Sequence, residues 1–160
     1  MNSLDNSLST NVIRPLEMID LDQIFDIEQR AYPLPWTRSM IEKSLGKDDC
    51  LGLRFDGALV AYAFVSYVLD EAHLLNICVD PRHTRKGFGR GLLRFLIDRA
   101  IKRSVSTFFL EVRASNIQAI DLYFSEGFNE VGVRPNYYPA SQGREDAVLM
   151  TLELSVEALV

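Results

Sequence analysis

The stretch His83-Thr84-Arg85-Lys86-Gly87-Phe88-Gly89-Arg90-Gly91 decides how this chain is read. Before it lies the apolar run Ala72 to Val79, closed by Asp80-Pro81. After it, Leu93, Leu96, Ile97, Ala100 and Ile101 recur at helical spacing, with Arg90, Arg94, Asp98, Lys102 and Arg103 on the other face. The segment is therefore a strand, a basic glycine-rich turn and an amphipathic helix. Glycines let backbone amides approach an anion closely, the first amides of a helix are unpaired, and the helix dipole favours negative charge there. A phosphate group is the expected occupant.

Two familiar glycine loops fail on residues. A P-loop needs Gly-Lys followed by Ser or Thr to reach phosphates and magnesium, whereas here Lys86 precedes Gly87. A dinucleotide fingerprint needs G-x-G-x-x-G, and counted from Gly87 its last glycine is Leu92. A nucleotide triphosphatase and a nicotinamide or flavin enzyme are both disfavoured.

Working outward, Cys50 to Phe55 and Ala58 to Leu69 are apolar runs separated by Asp56-Gly57, a strong hairpin signal. Upstream, Asn11 to Glu17 reads as a first strand, and Asp20 or Asp22 as the cap of a helix carrying Ile24, Phe25, Ile27 and Ala31. Pro33 and Pro35 enforce an extended link to Trp36, and Thr37 caps a short helix through about Leu45. Downstream, Ser106 to Val112 reads as a strand, Ser115-x-x-Gln118 as a helix start, and Gly127 as that helix's end. Phe128 to Arg134 and Asp146 to Leu154 read as closing strands joined by a long loop containing Tyr137, Tyr138 and Pro139. The long helix between the Ala72 and Ser106 strands makes those two parallel in an otherwise mostly antiparallel sheet, an α/β (α+β) domain.

With 160 residues, 48% of them apolar, the chain fits one soluble domain with a sizeable core. The polar stretch 1–10 reads as a flexible leader without signal-peptide character and 155–160 as a tail, leaving a single domain over 11–154. No run approaches the roughly 20 apolar residues of a membrane span. Cys50 and Cys78 lie far apart and outside any C-x-x-C pattern, so neither a disulfide framework nor a metal site is expected, and a reducing cytoplasm fits. A net charge of -5 argues against direct nucleic-acid binding.

Further motifs narrow the ligand. Asn76-Ile77-Cys78-Val79-Asp80-Pro81, Leu110-Glu111-Val112-Arg113-Ala114-Ser115-Asn116 and Leu122-Tyr123 through Gly127-Phe128 flank the turn. With them occur Glu28-Gln29-Arg30-Ala31, Pro35-Trp36, Asn136-Tyr137-Tyr138-Pro139 and Gly143-Arg144-Glu145-Asp146-Ala147. In order and spacing this resembles the GNAT superfamily of acetyl-CoA-dependent N-acetyltransferases, whose loop reads Q/R-x-x-G-x-G/A. Within it, the resemblance is to the RimI type, which acetylates ribosomal-protein alanine, and it covers Ile13 to Leu154. It implies a GNAT fold of about six to seven strands and about four helices. It also implies acetyl-CoA as co-substrate without a metal, and a protein N-terminal peptide as acceptor, by resemblance the N-terminal alanine of the eighteenth small-subunit ribosomal protein. A cytoplasmic monomer, bound to neither membrane nor nucleic acid, completes the expectation. A lysine or small-amine acetyltransferase, and a non-catalytic acetyl-CoA sensor, remain as alternatives.

The resemblance also assigns roles. The backbone of Arg85, Lys86, Gly87, Phe88, Gly89 and Arg90 would hold the pyrophosphate, while Thr84 departs from the usual Gln or Arg and puts one side-chain contact in doubt. Backbone groups of Ile77, Cys78 and Val79 would bond the pantetheine and acetyl carbonyl. Asn116 would touch the pantetheine, with Ser115 able to supply the helix cap in its place. Glu111 would be the general base, although by position alone it is a solvated strand-end carboxylate. Tyr123 would protonate the leaving sulfur, although Ile120, Tyr123 and Phe124 have core spacing. Trp36, Tyr137 and Tyr138 would border the peptide groove, and some of Glu28, Asp70, Glu71, Glu145 and Asp146 would attract a basic substrate.

Overall fold

The Asp56-Gly57 turn sets the frame of the sheet. Both residues take positive φ, 49° and 83°, which matches the twist of a tight hairpin. They join Asp49–Phe55 (β2) to Ala58–Val68 (β3) as an antiparallel pair. The computed structural model describes residues 11–154; the expected leader and tail lie outside the described residues. Asn11–Pro15 (β1) adds to β2, and Glu71–Val79 (β4) to β3, both antiparallel. The helix Phe88–Lys102 (α3) then carries the chain back to Thr107–Arg113 (β5), parallel to β4. Asn129–Pro139 (β6) and Arg144–Glu153 (β7) close the sheet in the order β1-β2-β3-β4-β5-β7-β6. The mixed seven-stranded sheet with four helices matches the expected class.

Strand alternation sorts side chains into two cores. Ala61, Ala63, Val65, Phe108 and Leu110 face α3 and the helix Ile117–Ser125 (α4). Cys50, Tyr62, Phe64 and Cys78 face the helices Leu21–Ala31 (α1) and Arg38–Lys47 (α2). Thr37 caps α2, its hydroxyl accepting from the Met40 amide at 3.2 Å.

Four local expectations need correction. The first strand stops at Pro15, and a 3₁₀ turn over Met18–Asp20 follows. Asp20 stands at the N-cap of α1 but its side chain makes no capping bond: it accepts from the Glu17 amide and pairs with Arg54, while Asp22 lies inside the helix. Asn116, not Ser115, caps α4, because its Oδ1 accepts from the Ala119 amide at 3.2 Å while the Ser115 amide donates to Glu145. Tyr137, Tyr138 and Pro139 do not lie in a long loop. β6 runs through Pro139, rejoining the ladder at Tyr138↔Glu145 after Pro135 and Asn136 interrupt it. Proline and a positive-φ asparagine, which mimic a loop in sequence, are here a strand irregularity.

Phe108 is fully buried in the α3 and α4 core, edge-on to Phe128 at 5.9 Å. Phe108→Ala is expected to cost about 3–5 kcal/mol, read as a lower midpoint in urea denaturation at unchanged slope.

Candidate active site

Two parallel strands part in the middle of the sheet. β4 and β5 pair from Glu71↔Thr107 to Leu74↔Leu110 and no further. An extra residue, Leu75, stands between Leu74 (opposite Val65) and Asn76 (opposite Phe64). This bulge reverses the alternation. Ala72 and Leu74 face α3 before it, as Ile77 and Val79 do after it, so Asn76 and Cys78 turn toward α1. Ile77, Cys78 and Val79 thus border one side of the gap and Glu111 the other.

The basic turn stands at the end of β4. Asp80 is buried, accepts from the Arg82 amide (3.0 Å) and from Arg30 of α1 (3.0 Å), and pairs with the Arg82 guanidinium. Burial by itself would raise its pKa, but the Arg82 amide and the Arg30 and Arg82 side chains outweigh it and hold the carboxyl at about 2. The turn is thereby fixed to α1. Arg85 (φ 63°) and Gly87 (φ 80°) are left-handed, and Gly87 is the N-cap of α3. Backbone of this kind gathers successive amides into a concave anion site. The Gly91 amide makes the first intrahelical bond, to Gly87 at 3.0 Å, and the amides of Phe88, Gly89 and Arg90 have no helical partner. A Cβ on Gly89 would sit 3.3 Å from Val79, so glycine lets this first turn lie against β4.

The side chains of the turn are largely engaged. Phe88 packs on Phe55 at 5.3 Å, with Lys86 Nζ above the same ring. Arg90 bonds Glu126 and Ser125. Thr84 donates its hydroxyl to the Pro81 carbonyl at 3.4 Å. What the turn offers an anion is chiefly backbone.

Across the gap, Glu111 is partly exposed and forms an ion pair with Arg134, whose Nε lies 3.2 Å from Glu111 Oε1. The Glu111 carboxylate, ahead of burial, raises the Tyr137 phenol. Tyr123 on α4 is buried against Phe128 at 5.7 Å, and desolvation, with Tyr138 second, pushes its phenol well up, so it carries its proton at neutral pH. Trp36 stacks on Phe64 at 5.4 Å and is half-buried, whereas Tyr137 is exposed and Tyr138 lies under Arg113. Burial also pushes the Cys78 thiol up to about 12, which keeps it protonated and a poor nucleophile.

Glu28 overturns part of the acidic-groove expectation. It is 1% exposed. Its carboxylate accepts from Tyr62 Oη, from Asn76 Nδ2 at 3.1 Å and from the Trp36 amide at 3.1 Å. A side chain so enclosed and so occupied cannot meet a substrate. Asp70 is also spent, on Ser106 at the end of the sheet where β4 begins, and Glu145 pairs with Arg113 at 2.8 Å. Sequence did carry a signal for Glu28, since it falls on the same stripe of α1 as Ile24, Ile27 and Ala31. For Arg134 no such signal exists, because its partner comes from a distant strand, and the Arg30 contact of Asp80 is likewise set by a distant helix.

The model of the acetyltransferase (GNAT) family matches residues 21–128. This chain belongs to the GNAT family. It is 48% identical over 147 residues, 91% of its length and 99% of the relative's, to the [ribosomal protein bS18]-alanine N-acetyltransferase of Escherichia coli K12. It is 29% identical to a putative enzyme of the same description from Bacillus subtilis, over 89% of this chain and 95% of the relative. The crystal structure of the E. coli ribosomal-protein-S18-alanine N-acetyltransferase superposes with a TM-score of 0.87, covering 91% of this chain and 95% of that one. Ard1 from Thermoplasma volcanium, at 25% identity, superposes with a TM-score of 0.83 over 91% of this chain and 98% of that one.

In this GNAT chain no described helix is long and apolar enough to cross a membrane. Asp80 makes the basic turn acid-sensitive. Its folded pKa, about 2, lies below its ordinary value of 3.8. The stabilisation is therefore complete above about pH 5 and is lost as the pH falls through 4 toward 2, a loss of about 2 kcal/mol. Asp80→Asn is expected to lower stability at pH 7 and to flatten this part of the acid limb, as measured by denaturation midpoints between pH 7 and 2.

Proposed function

We propose that residues 11–154 form a single catalytic domain that transfers acetyl from acetyl-CoA to a protein N-terminal α-amine, that of ribosomal protein bS18 with its alanine first. The match at 48% identity over nearly all of both chains to the bS18-alanine N-acetyltransferase of E. coli carries this reading. A ribosomal substrate makes the protein cytoplasmic, and since every group invoked comes from one chain, a monomer suffices.

The site fits the co-substrate. Amides of residues 85–90 suit a pyrophosphate, and the unpaired edge of β4 at Ile77 to Val79 suits the amides of a pantetheine arm and the oxygen of an acetyl carbonyl. Asn116 serves as helix cap, and its amide nitrogen is its remaining donor toward the arm. When bound, acetyl-CoA supplies an activated acyl carbon and a thiolate leaving group. Glu111 takes a proton from the arriving ammonium, directly or through one water, so that the free amine pair can attack. An α-amine of pKa near 8 is about one-tenth neutral at pH 7, against a thousandth or less for lysine, which favours the N-terminus as nucleophile. Tyr123 gives its phenolic proton to the sulfur as the C–S bond breaks. Its raised pKa keeps that proton in place beforehand, and a thiolate in the same desolvated cleft is itself made more basic. Trp36, Tyr137 and Tyr138 border the peptide path in this reading.

Incubation with acetyl-CoA and peptides bearing a free α-amine, an internal lysine, or both is expected to place acetyl on the α-amine by mass spectrometry. Acetyl on lysine alone would refute the N-terminal assignment. Glu111→Gln and Tyr123→Phe are each expected to lower kcat by about a hundredfold or more while acetyl-CoA affinity changes little.

A further inference from the structure

The geometry points to Arg134 as the residue that positions the Glu111 carboxylate for proton transfer; this rests on Glu111 acting as the base. Arg134 belongs to β6, two strands away from β5, yet its Nε lies 3.2 Å from Glu111 Oε1. The register explains how it reaches. Glu111 stands opposite Leu149 and Arg113 opposite Ala147 on one side of β7, while Gly132 and Arg134 stand opposite the same two residues on the other. Directly opposed residues share a face, so Glu111 and Arg134 lie on one face with Leu149 and Ala147 between them. Ala147 is fully buried and ends at a methyl group, which leaves a passage over β7 for the longer side chain. A large residue at 147 would block it.

The guanidinium also meets an aromatic ring. Arg134 lies over the Tyr137 ring at 5.5 Å. Tyr137 is brought there by the irregularity at Pro135 and Asn136, where β6 has two more residues than β7 between Arg134↔Ala147 and Tyr138↔Glu145. That irregularity is pinned from β7. The Asn136 amide donates to Asp146 Oδ1 at 2.9 Å, and Arg144 donates to the carbonyls of Asn136 and Tyr137, each at 2.8 Å. A planar guanidinium in contact with both a ring and a carboxylate is fixed in direction as a lysine ammonium is not. Arg134 pairs with Glu111 Oε1, and the Tyr137 phenol lies close enough for the same carboxylate to raise its pKa, so both side chains orient the base. Its side chain is 56% exposed, so the stability of the fold does not depend on it.

Arg134→Gln, Arg134→Lys, Glu111→Gln and the double variant Glu111→Gln/Arg134→Gln would be assayed with acetyl-CoA and an alanine-starting peptide. Arg134→Gln is expected to lower kcat about tenfold or more, with the acetyl-CoA KM within about twofold of wild type, and Arg134→Lys to recover part of the loss. Because the effect passes through Glu111, adding Arg134→Gln to Glu111→Gln is expected to change turnover little further. Wild-type turnover in Arg134→Gln beside an inactive Glu111→Gln would overturn the positioning role and leave the base intact. Losses that multiply in the double variant, or a loss confined to the acetyl-CoA KM, would also overturn it. Wild-type turnover in Glu111→Gln would instead remove the base itself.

Discussion

The separation of β4 from β5 is the constraint on which the rest of the site depends. Four residue pairs hold the two strands together, and beyond Leu74 and Leu110 the ladder ends inside the sheet. Interior backbone groups without partners are costly. The bulge at Leu75 starts the divergence by adding a residue to β4 that β3 does not match. One exposed acceptor is already met from the side: the Tyr32 hydroxyl donates to the Ile77 carbonyl at 2.7 Å. The remaining edge is a row of backbone polar groups, the kind of edge on which an extended amide-bearing ligand replaces water as partner.

An opening of this kind needs rigid walls, and two buried carboxylates provide them. Glu28 ties α1 to Tyr62 of β3, to Asn76 just past the bulge and to the backbone at Trp36. Asp80 ties the end of β4 to Arg30, two residues further along α1, and to the start of the basic turn. Each is surrounded by donors, which is what permits a carboxylate in such a place. The helix therefore braces both the stretch of β4 past the bulge and its end at the basic turn. A shift of α1 would disturb the two together.

Charge is distributed with the same economy. The chain is acidic overall, at -5, so its anion site must be local. Even there, Arg90 and Arg94 are directed to Glu126 on the neighbouring helix end rather than to a ligand. They dock α3 on α4, the helix that bears Tyr123. The basic residues that mark the turn in sequence thus serve partly to hold the fold, and the left-handed backbone at Arg85 and Gly87 has the geometry that suits an anion.

The glycine turn, the hairpin at Asp56-Gly57, the amphipathic α3 and the parallel crossover were all legible in the chain, because each follows from local periodicity or from a residue's own φ preference. Motif spacing likewise marked the segments around Ile77, Glu111 and Tyr123. Long-range pairing was not legible. Asn116 and Ser115 compete for one cap, and Asn116 holds it through Oδ1 while Glu145, some thirty residues away, receives the Ser115 amide. Tyr137 and Tyr138 look like loop residues until β7 captures them around a pinned irregularity. Glu28 reads as a surface acid until three donors from three other segments enclose it. Sequence by itself determined which elements form and where an anion can sit, since those depend on neighbours along the chain. Only the tertiary structure decided which carboxylate faces the cleft and which is sealed beneath it, because burial and hydrogen-bond partners are set by strands that meet from far apart.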